Sequence, residues 1–311
     1  MQVNAKRAHG PCLTKSRYMA GLQCLRRLWL LVHEPPPFEA PTPGAPPDPR
    51  EQVLRAAHLL FPGGIEIAEG PLEHAQALAH TAALMANPSV PAIFSAAFEH
   101  DSIRIRVDIL ERLAAGTWGL REVKASTSLK AHYIDGIALS AHVLRAAGLN
   151  VGSIELIHLN AAYVRGQSGI DWPKLFARLD VGDLVEEACA DLPGHLPAMC
   201  ACIGSNTLPK AEPGAQCSAP YDCQFWDRCT ADKPDDWVFY LPRRSKTQAE
   251  ALEALGIEAI SAIPLDFPLS PRQAIIRDAL VTGQPFVAPD LQSRLSRCSP
   301  PALYLDFEAM M

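Results

Sequence analysis

The chain has 311 residues, 48% of them hydrophobic, and a formal net charge of −6. That is enough apolar material for one large domain or two small ones, and it excludes a protein coated in basic charge. The early apolar run Leu28-Trp29-Leu30-Leu31-Val32 is too short to span a bilayer and is followed by no small-residue cleavage site, so a cytoplasmic protein without membrane association is expected.

Residues 1–33 hold Lys6, Arg7, Lys15, Arg17, Arg26 and Arg27 and no acid. A polyanion could dock there, and a solvated terminus is the alternative. Residues 34–50, EPPPFEAPTPGAPPDPR, carry so much proline that neither helix nor central strand can persist, which marks an exposed connection. Helices are expected over 51–60 and 71–86, separated by the FPGG turn at 61–64. From Ser102 the period becomes two: Ile103, Ile105, Val107 and Ile109 on one face, Arg104, Arg106 and Asp108 on the other. That is a half-buried strand. A turn at Ala114-Ala115-Gly116 leads to a second strand, Thr117 to Lys124. Ser126 or Thr127 can then cap a helix running to about Gly148, with Ile134, Ile137, Ala138, Ala141 and Leu144 as its apolar stripe. A third strand is expected over 151–159 and alanine-rich helices near 182–203, so the core order is helix, strand, strand, helix, strand, an α/β (α+β) arrangement.

An antiparallel hairpin centred on Ala115 pairs residues whose numbers sum to 230, which sets Asp108 opposite Glu122 with Cβ atoms roughly 5 Å apart. Two opposed carboxylates repel unless a cation lies between them. Lys124 shares the face of Glu122 because side chains two apart on a strand project together. An Asp, Glu and Lys so placed suit metal-assisted hydrolysis of a phosphodiester: Asp108 and Glu122 as hard-oxygen ligands for Mg²⁺ or Mn²⁺, Lys124 to orient water and stabilise developing charge. The alternative is that Glu122 and Lys124 form a surface pair on an edge strand and Asp108 marks a strand end. Arg104 and Arg106, on the face of Asp108, could meet phosphates or pair with nearby acids.

Nine cysteines are an odd number in a chain with no export signal and favour a metal site over a disulfide framework. Cys217, Cys223 and Cys229 place three thiols in the thirteen residues QCSAPYDCQFWDRC contains from its first cysteine onward. That spacing is wider than the C-x-x-C pairs of structural zinc and favours an iron-sulfur cluster. The fourth ligand is open among Cys12, Cys24, Cys189, Cys200, Cys202 and Cys298. A zinc-binding structural protein, or three unlinked buried cysteines, are the alternatives.

LTKSRYMAGLQCLRRLWL at 13–30, RVDIL at 106–110, REVKAST at 121–127 and the three-cysteine run together resemble the RecB-like branch of the PD-(D/E)XK nucleases. They are most similar to members that carry a 4Fe-4S cluster, such as the CRISPR-associated RecB-like exonucleases and AddB. The resemblance covers about residues 12–235. It implies a restriction-endonuclease-like core with a mixed central sheet flanked by helices, and catalysis by Asp108, Glu122 and Lys124. It also implies a cluster on Cys24, Cys217, Cys223 and Cys229 that clamps the two ends of the domain. The chain departs from the family twice. Glu51 and His58 are only loose candidates for a first-helix acid or histidine, with Arg55 between them. Ser140-Ala141-His142 stands where many members have a glutamine and then an aromatic residue.

The implied organisation is a nuclease domain with its iron-sulfur region over 1–236, a helical connector over 237–300, and at 301–311 the opening of a DnaQ-like exonuclease domain. PALYLDFEAMM reads as a strand entering Asp306-x-Glu308, two acids that could not bind two metals productively by themselves and would be a vestigial second site. A polar tail is the alternative. Within the connector, ALEALGIEAISAIP at 251–264 reads as a helix, a glycine turn and a second short helix. The expected function is a Mg²⁺- or Mn²⁺-dependent deoxyribonuclease acting at single strands or ends in DNA repair or defence, exonuclease ahead of endonuclease. Lys15, Arg17, Arg26, Arg27, Arg104 and Arg106 are its candidate DNA contacts. The alternative is a catalytically decayed iron-sulfur module that binds DNA or a partner.

Overall fold

The period-two pattern of residues 103–109 forms the backbone of a mixed sheet in the computed structural model, which describes residues 12–36, 48–167, 169–298, 300, 303 and 305–307. The chain divides into two compact units, Met1–Trp226 and Asp227–Met311. Among the described residues no helix is long and apolar enough to cross a membrane.

The first unit opens with β1 (Leu13–Thr14), α1 (Lys15–Gln23) and α2 (Leu25–His33), followed by α3 (Pro49–His58), β2 (Ile65–Glu66) and α4 (His74–Ala86). The sheet then builds through β3 (Ala92–His100), β4 (Ile103–Arg112) and β5 (Trp118–Lys124). It continues through α5 (Ala131–Ala146), β6 (Val151–Leu159), the short α6 (Trp172–Leu175) and β7 (Phe176–Asp180), and two helices, α7 (Gly182–Cys189) and α8 (Leu192–Gly204), follow. Strand order is β2-β3-β4-β5-β6-β7, with β1 also paired to β4. β3–β4, β4–β5 and β6–β7 are antiparallel, while β2–β3, β5–β6 and β1–β4 are parallel. This is the expected α/β architecture, a mixed central sheet flanked by helices.

The hairpin has the expected register, Ile109 opposite Arg121 and Leu110 opposite Leu120. At its turn Ala115 and Gly116 take positive φ of 56° and 73°, the left-handed region that lets a short connection reverse. β3 had no forecast. AIFSAAFEH shows no alternation because Ala92, Ile93, Phe94, Ala96, Ala97 and Phe98 are all buried, as befits a strand covered on both faces. The helix expected from Ser126 or Thr127 begins only at Ala131, because the Ser126 carbonyl accepts the amide of Leu159 and holds that stretch as a loop beside β6. The α5 stripe is as read: Ile137, Ala138, Ala141 and Leu144 are fully buried.

α3 packs on one face of the sheet, where Ala57 and Phe61 join Phe94, Ile109, Val123, Ile157 and Phe176 in an apolar cluster. Strand alternation puts Glu122 on the other face. α1 reaches that face, and its Lys15 stem lies against Gly136 of α5.

The second unit contains α9 (Trp226–Cys229, beginning on the last residue of the first), α10 (Lys246–Ala254), α11 (Pro271–Thr282) and α12 (Leu291–Ser296). The expected helix, glycine turn and short helix are present as α10, Gly256 at φ +66° and a 3-10 turn over Ile260–Ala262. Ser245 with Gln248 and Ser270 with Gln273 form matching capping boxes, and the two glutamine amides bond to each other at 3.2 Å. Leu305, Asp306 and Phe307 are exposed and lie outside any strand, against the strand expected there, and Glu308 lies outside the described residues.

Candidate active site

The site forms where β4 changes neighbour. One edge of β4 is occupied along its length by β3. The other is occupied by β1 at Ile103 and Arg104 and by β5 from Ile109 onward. Asp108 falls in the gap between them. Beyond Arg121, β5 leaves β4 and continues to Lys124 paired with β6 alone. The Val123 amide would have continued the ladder toward β4. Instead it donates to Asp108 Oδ2 at 2.8 Å, so the carboxylate closes the fork.

Glu122 projects into the same fork and is 1% exposed. β5 lies between β4 and β6, which overturns the reading of Glu122 and Lys124 as a surface pair on an edge strand. Lys124 Nζ donates to Glu122 Oε1 at 2.6 Å. A second ammonium, Lys15 on the first turn of α1, donates to Glu122 Oε1 at 3.0 Å and Oε2 at 2.8 Å. The parallel pairing of β1 with β4 delivers Lys15 to the fork, because α1 begins on the residue after Thr14. From sequence alone Lys15 is a basic residue of the N-terminal arm and a candidate DNA contact. Its signal lay in the LTKSR segment, but no local spacing connects it to a glutamate 107 residues away.

The two carboxylates titrate in opposite directions. Burial, then the charge of Glu122, push Asp108 up from the ordinary carboxylate range, outweighing Lys15 and Lys124. Burial also opposes ionisation of Glu122, but Lys15 and Lys124 overcome it and bring its pKa down to about 2. Burial would lower Lys124, yet Glu122 and Asp108 hold it above the usual lysine range, with a smaller push from Tyr221. The set is therefore an ionised glutamate between two ammonium groups, beside an aspartate whose charge is resisted.

This donor set fits a hard divalent cation. Asp108 and Glu122 offer carboxylate oxygens from two strands across one gap, and among the described residues Asp108 Oδ1 accepts no hydrogen bond. A cation there would offset the burial and the repulsion from Glu122 that raise Asp108. Among the described residues no three His, Cys, Asp or Glu side chains are grouped so as to hold a metal by themselves, so water or substrate oxygens would complete the shell.

The other candidate residues occupy different places. Arg104 pairs with Glu99 at 3.0 Å. Arg106 donates to the carbonyls of Ser95 at 3.1 Å and Glu69 at 2.9 Å. Arg17 donates to the Cys12 carbonyl, Arg26 to that of Ala211, and Arg27 to Gln23 and Gln224. These five side chains tie chain segments together. Glu51 is exposed and pairs with Arg55. His58 stacks on Phe94 at 3.8 Å, which puts it on the α3 side of the sheet, away from Glu122. Ser140 is fully buried and donates to the Gly136 carbonyl within α5.

No disulfide joins the cysteines. Cys24 is a single extended residue, φ −168° and ψ 124°, breaking α1 from α2. The side chain of Gln23 reaches the cysteine-rich segment, donating to the carbonyls of Gln216 at 2.6 Å and Tyr221 at 2.7 Å. Arg27 reaches Gln224 at 3.1 Å. Cys24 is thus held beside the segment that carries Cys217 and Cys223, whose backbones also bond at 2.8 Å, Cys223 N–H to Cys217 C=O. Buried Cys202 lies close enough to Cys24 for the two to interact, and donates to the Leu25 carbonyl. Cys229 belongs to the second unit.

No protein-family model and no curated protein matches the chain. Among solved structures, that of SSO0001 is similar at 12% identity and a TM-score of 0.25, over 58% of this chain and 75% of the other. The alkaline exonuclease LHK-Exo from Laribacter hongkongensis is similar at 12% identity and a TM-score of 0.33, over 62% of this chain and 89% of the other. Its complex with dAMP gives 13% identity, a TM-score of 0.31 and the same two coverages. These are remote likenesses, and the functional reading rests on the fork itself.

Proposed function

We propose that the chain is a Mg²⁺- or Mn²⁺-dependent nuclease that hydrolyses DNA phosphodiester bonds at single strands or ends, in DNA repair or defence. The observation that carries this reading is the fork: a 1% exposed Glu122 and a neighbouring Asp108, on two strands that part there, with Lys124 on the same carboxylate. A fold gains nothing from burying two coupled acids unless a cation uses them. When bound, the metal would lower the pKa of a coordinated water and neutralise phosphate charge. The chain's own part is positional and electrostatic. Asp108 and Glu122 fix the donor oxygens, the Val123 amide orients Asp108, and Lys124 stays protonated to hold a water or stabilise charge on the phosphate. Lys15 supplies a second positive charge that keeps Glu122 ionised when the site holds no cation.

The same proposal assigns a 4Fe-4S cluster to Cys24, Cys217, Cys223 and Cys229 on sequence spacing and family resemblance, although among the described residues no three cysteines are grouped so as to hold a metal. The contacts of Gln23 and Arg27 with the cysteine-rich segment support it, since they bring chain ends about two hundred residues apart to the Cys24 hinge. Soft thiolates are the donors such a cluster needs.

Cleavage of single-stranded DNA with Mn²⁺, compared between wild type and Glu122→Ala, tests the nuclease. Loss in the variant supports it, and equal behaviour of the two proteins sinks it. Iron and sulfide analysis of anaerobically purified protein tests the cluster: a colourless zinc protein would remove it, and Cys24→Ser with full iron content would reassign the first ligand.

A further inference from the structure

Beside the fork, three rings meet that no part of the hydrolytic chemistry uses. Lys124 Nζ lies 5.4 Å from the centroid of Tyr133. The ring of His132 stands edge-on to Tyr133, with centroids 4.7 Å apart, and edge-on to Tyr221, 5.0 Å apart. Tyr133 and His132 come from the first turn of α5. Tyr221 comes from the loop between Cys217 and Cys223. Its backbone carbonyl is held by Gln23, at the opposite end of α1 from Lys15. The side chain remains 42% exposed.

The part of an aromatic ring kept solvent-accessible beside a charged group contributes nothing to folding, since that apolar area is left in water. It is well suited to stack on a flat partner. Every nucleobase has a π face, and bases are free to stack on a protein only when they are not already stacked in a duplex. We propose that Tyr221, backed by His132 and Tyr133, stacks on a base of a single-stranded substrate next to the phosphate held at the fork. The cysteine-rich segment then supplies a substrate-positioning residue to the nuclease site, and the site prefers single strands to duplex. This rests on the nuclease reading and deepens it.

The test uses fluorescence anisotropy with single-stranded oligodeoxynucleotides in Ca²⁺, comparing wild type, Tyr221→Ala and Tyr221→Phe. A series of oligonucleotides carries one abasic residue moved along the strand. Wild type should lose about tenfold in affinity when the abasic residue falls at one position, the scale of a base–aromatic stack. Tyr221→Ala should bind the intact strand about tenfold more weakly and be insensitive at that position, while Tyr221→Phe restores the wild-type profile. Blunt duplex should bind both proteins alike. A purely structural role for Tyr221 would weaken intact and abasic strands equally, which overturns the proposal, as does a flat abasic scan in wild type or a failure to bind single strands. Cleavage lost in Glu122→Ala alongside a flat scan refutes the stack and leaves the nuclease standing. Cleavage indistinguishable from Glu122→Ala refutes both.

Discussion

Residues 121 and 122 are neighbours on β5, point to opposite faces of the sheet, and each anchors a cluster of two acids and two bases. Behind the strand, Arg121 is 2% exposed and meets Glu111 at 2.7 Å and Glu155 at 3.5 Å, while Arg178 bonds the same two glutamates at 3.3 and 2.6 Å. In front, Lys15 and Lys124 both converge on Glu122, and among the described residues Asp108 accepts only a backbone amide. The rear cluster alternates charge, so each carboxylate meets two guanidinium groups. The front cluster spends both cations on one acid and leaves the other resisting ionisation. Equal numbers of charges therefore give a structural brace on one face and a site with electrostatic demand on the other.

Substitutions at these adjacent positions should separate the two roles. Glu122→Gln is expected to lower kcat for Mn²⁺-dependent cleavage about a thousandfold, with a melting temperature near that of wild type; a parallel collapse of stability would make Glu122 a second brace. Arg121→Met should do the reverse. Leaving Glu111 and Glu155 with Arg178 alone is expected to cost about 1–3 kcal/mol in urea unfolding, while activity per folded molecule persists. Lys15→Met removes an ammonium that competes for the Glu122 carboxylate. Calorimetric titration with Mn²⁺ should then show tighter binding, by about tenfold or 1.4 kcal/mol, and weaker binding would mean that Lys15 organises the cradle. An effect on the brace alone is expected at Gly119, where a methyl group would meet the Arg121 guanidinium. Gly119→Ala should displace that head group and destabilise the protein by about 1–3 kcal/mol, without changing the metal dependence of cleavage.

The parts of this arrangement that obey local rules could be read from sequence. Strand alternation and one reversal at Ala115 fix the pairs from Arg112–Trp118 to Ile109–Arg121 and set Asp108 and Glu122 on one face, but the direct Asp108–Glu122 pair expected next is absent because the two strands part there and Asp108 meets the Val123 amide instead. The apolar stripe of α5 followed from helical spacing in the same way. β3 escaped because a strand buried on both faces has no alternation to read. Lys15, His132 and Tyr221 escaped for a different reason: they reach the fork from α1, α5 and the cysteine-rich loop, and only the folded chain makes them neighbours. The basic residues were visible as charge, but charge alone does not tell a phosphate contact from a guanidinium that holds a carbonyl, as Arg106 does.

The fork also supplies a spectroscopic handle. The amide proton of Val123 is retained by a carboxylate side chain where a β-ladder would ordinarily retain it. Its protection against solvent exchange is therefore tied to where Asp108 points. A cation that draws Asp108 toward itself would loosen that one proton while Leu120, bonded within the ladder, stays closed. The ratio of the two exchange rates would count occupied sites in solution, with no substrate and no turnover needed.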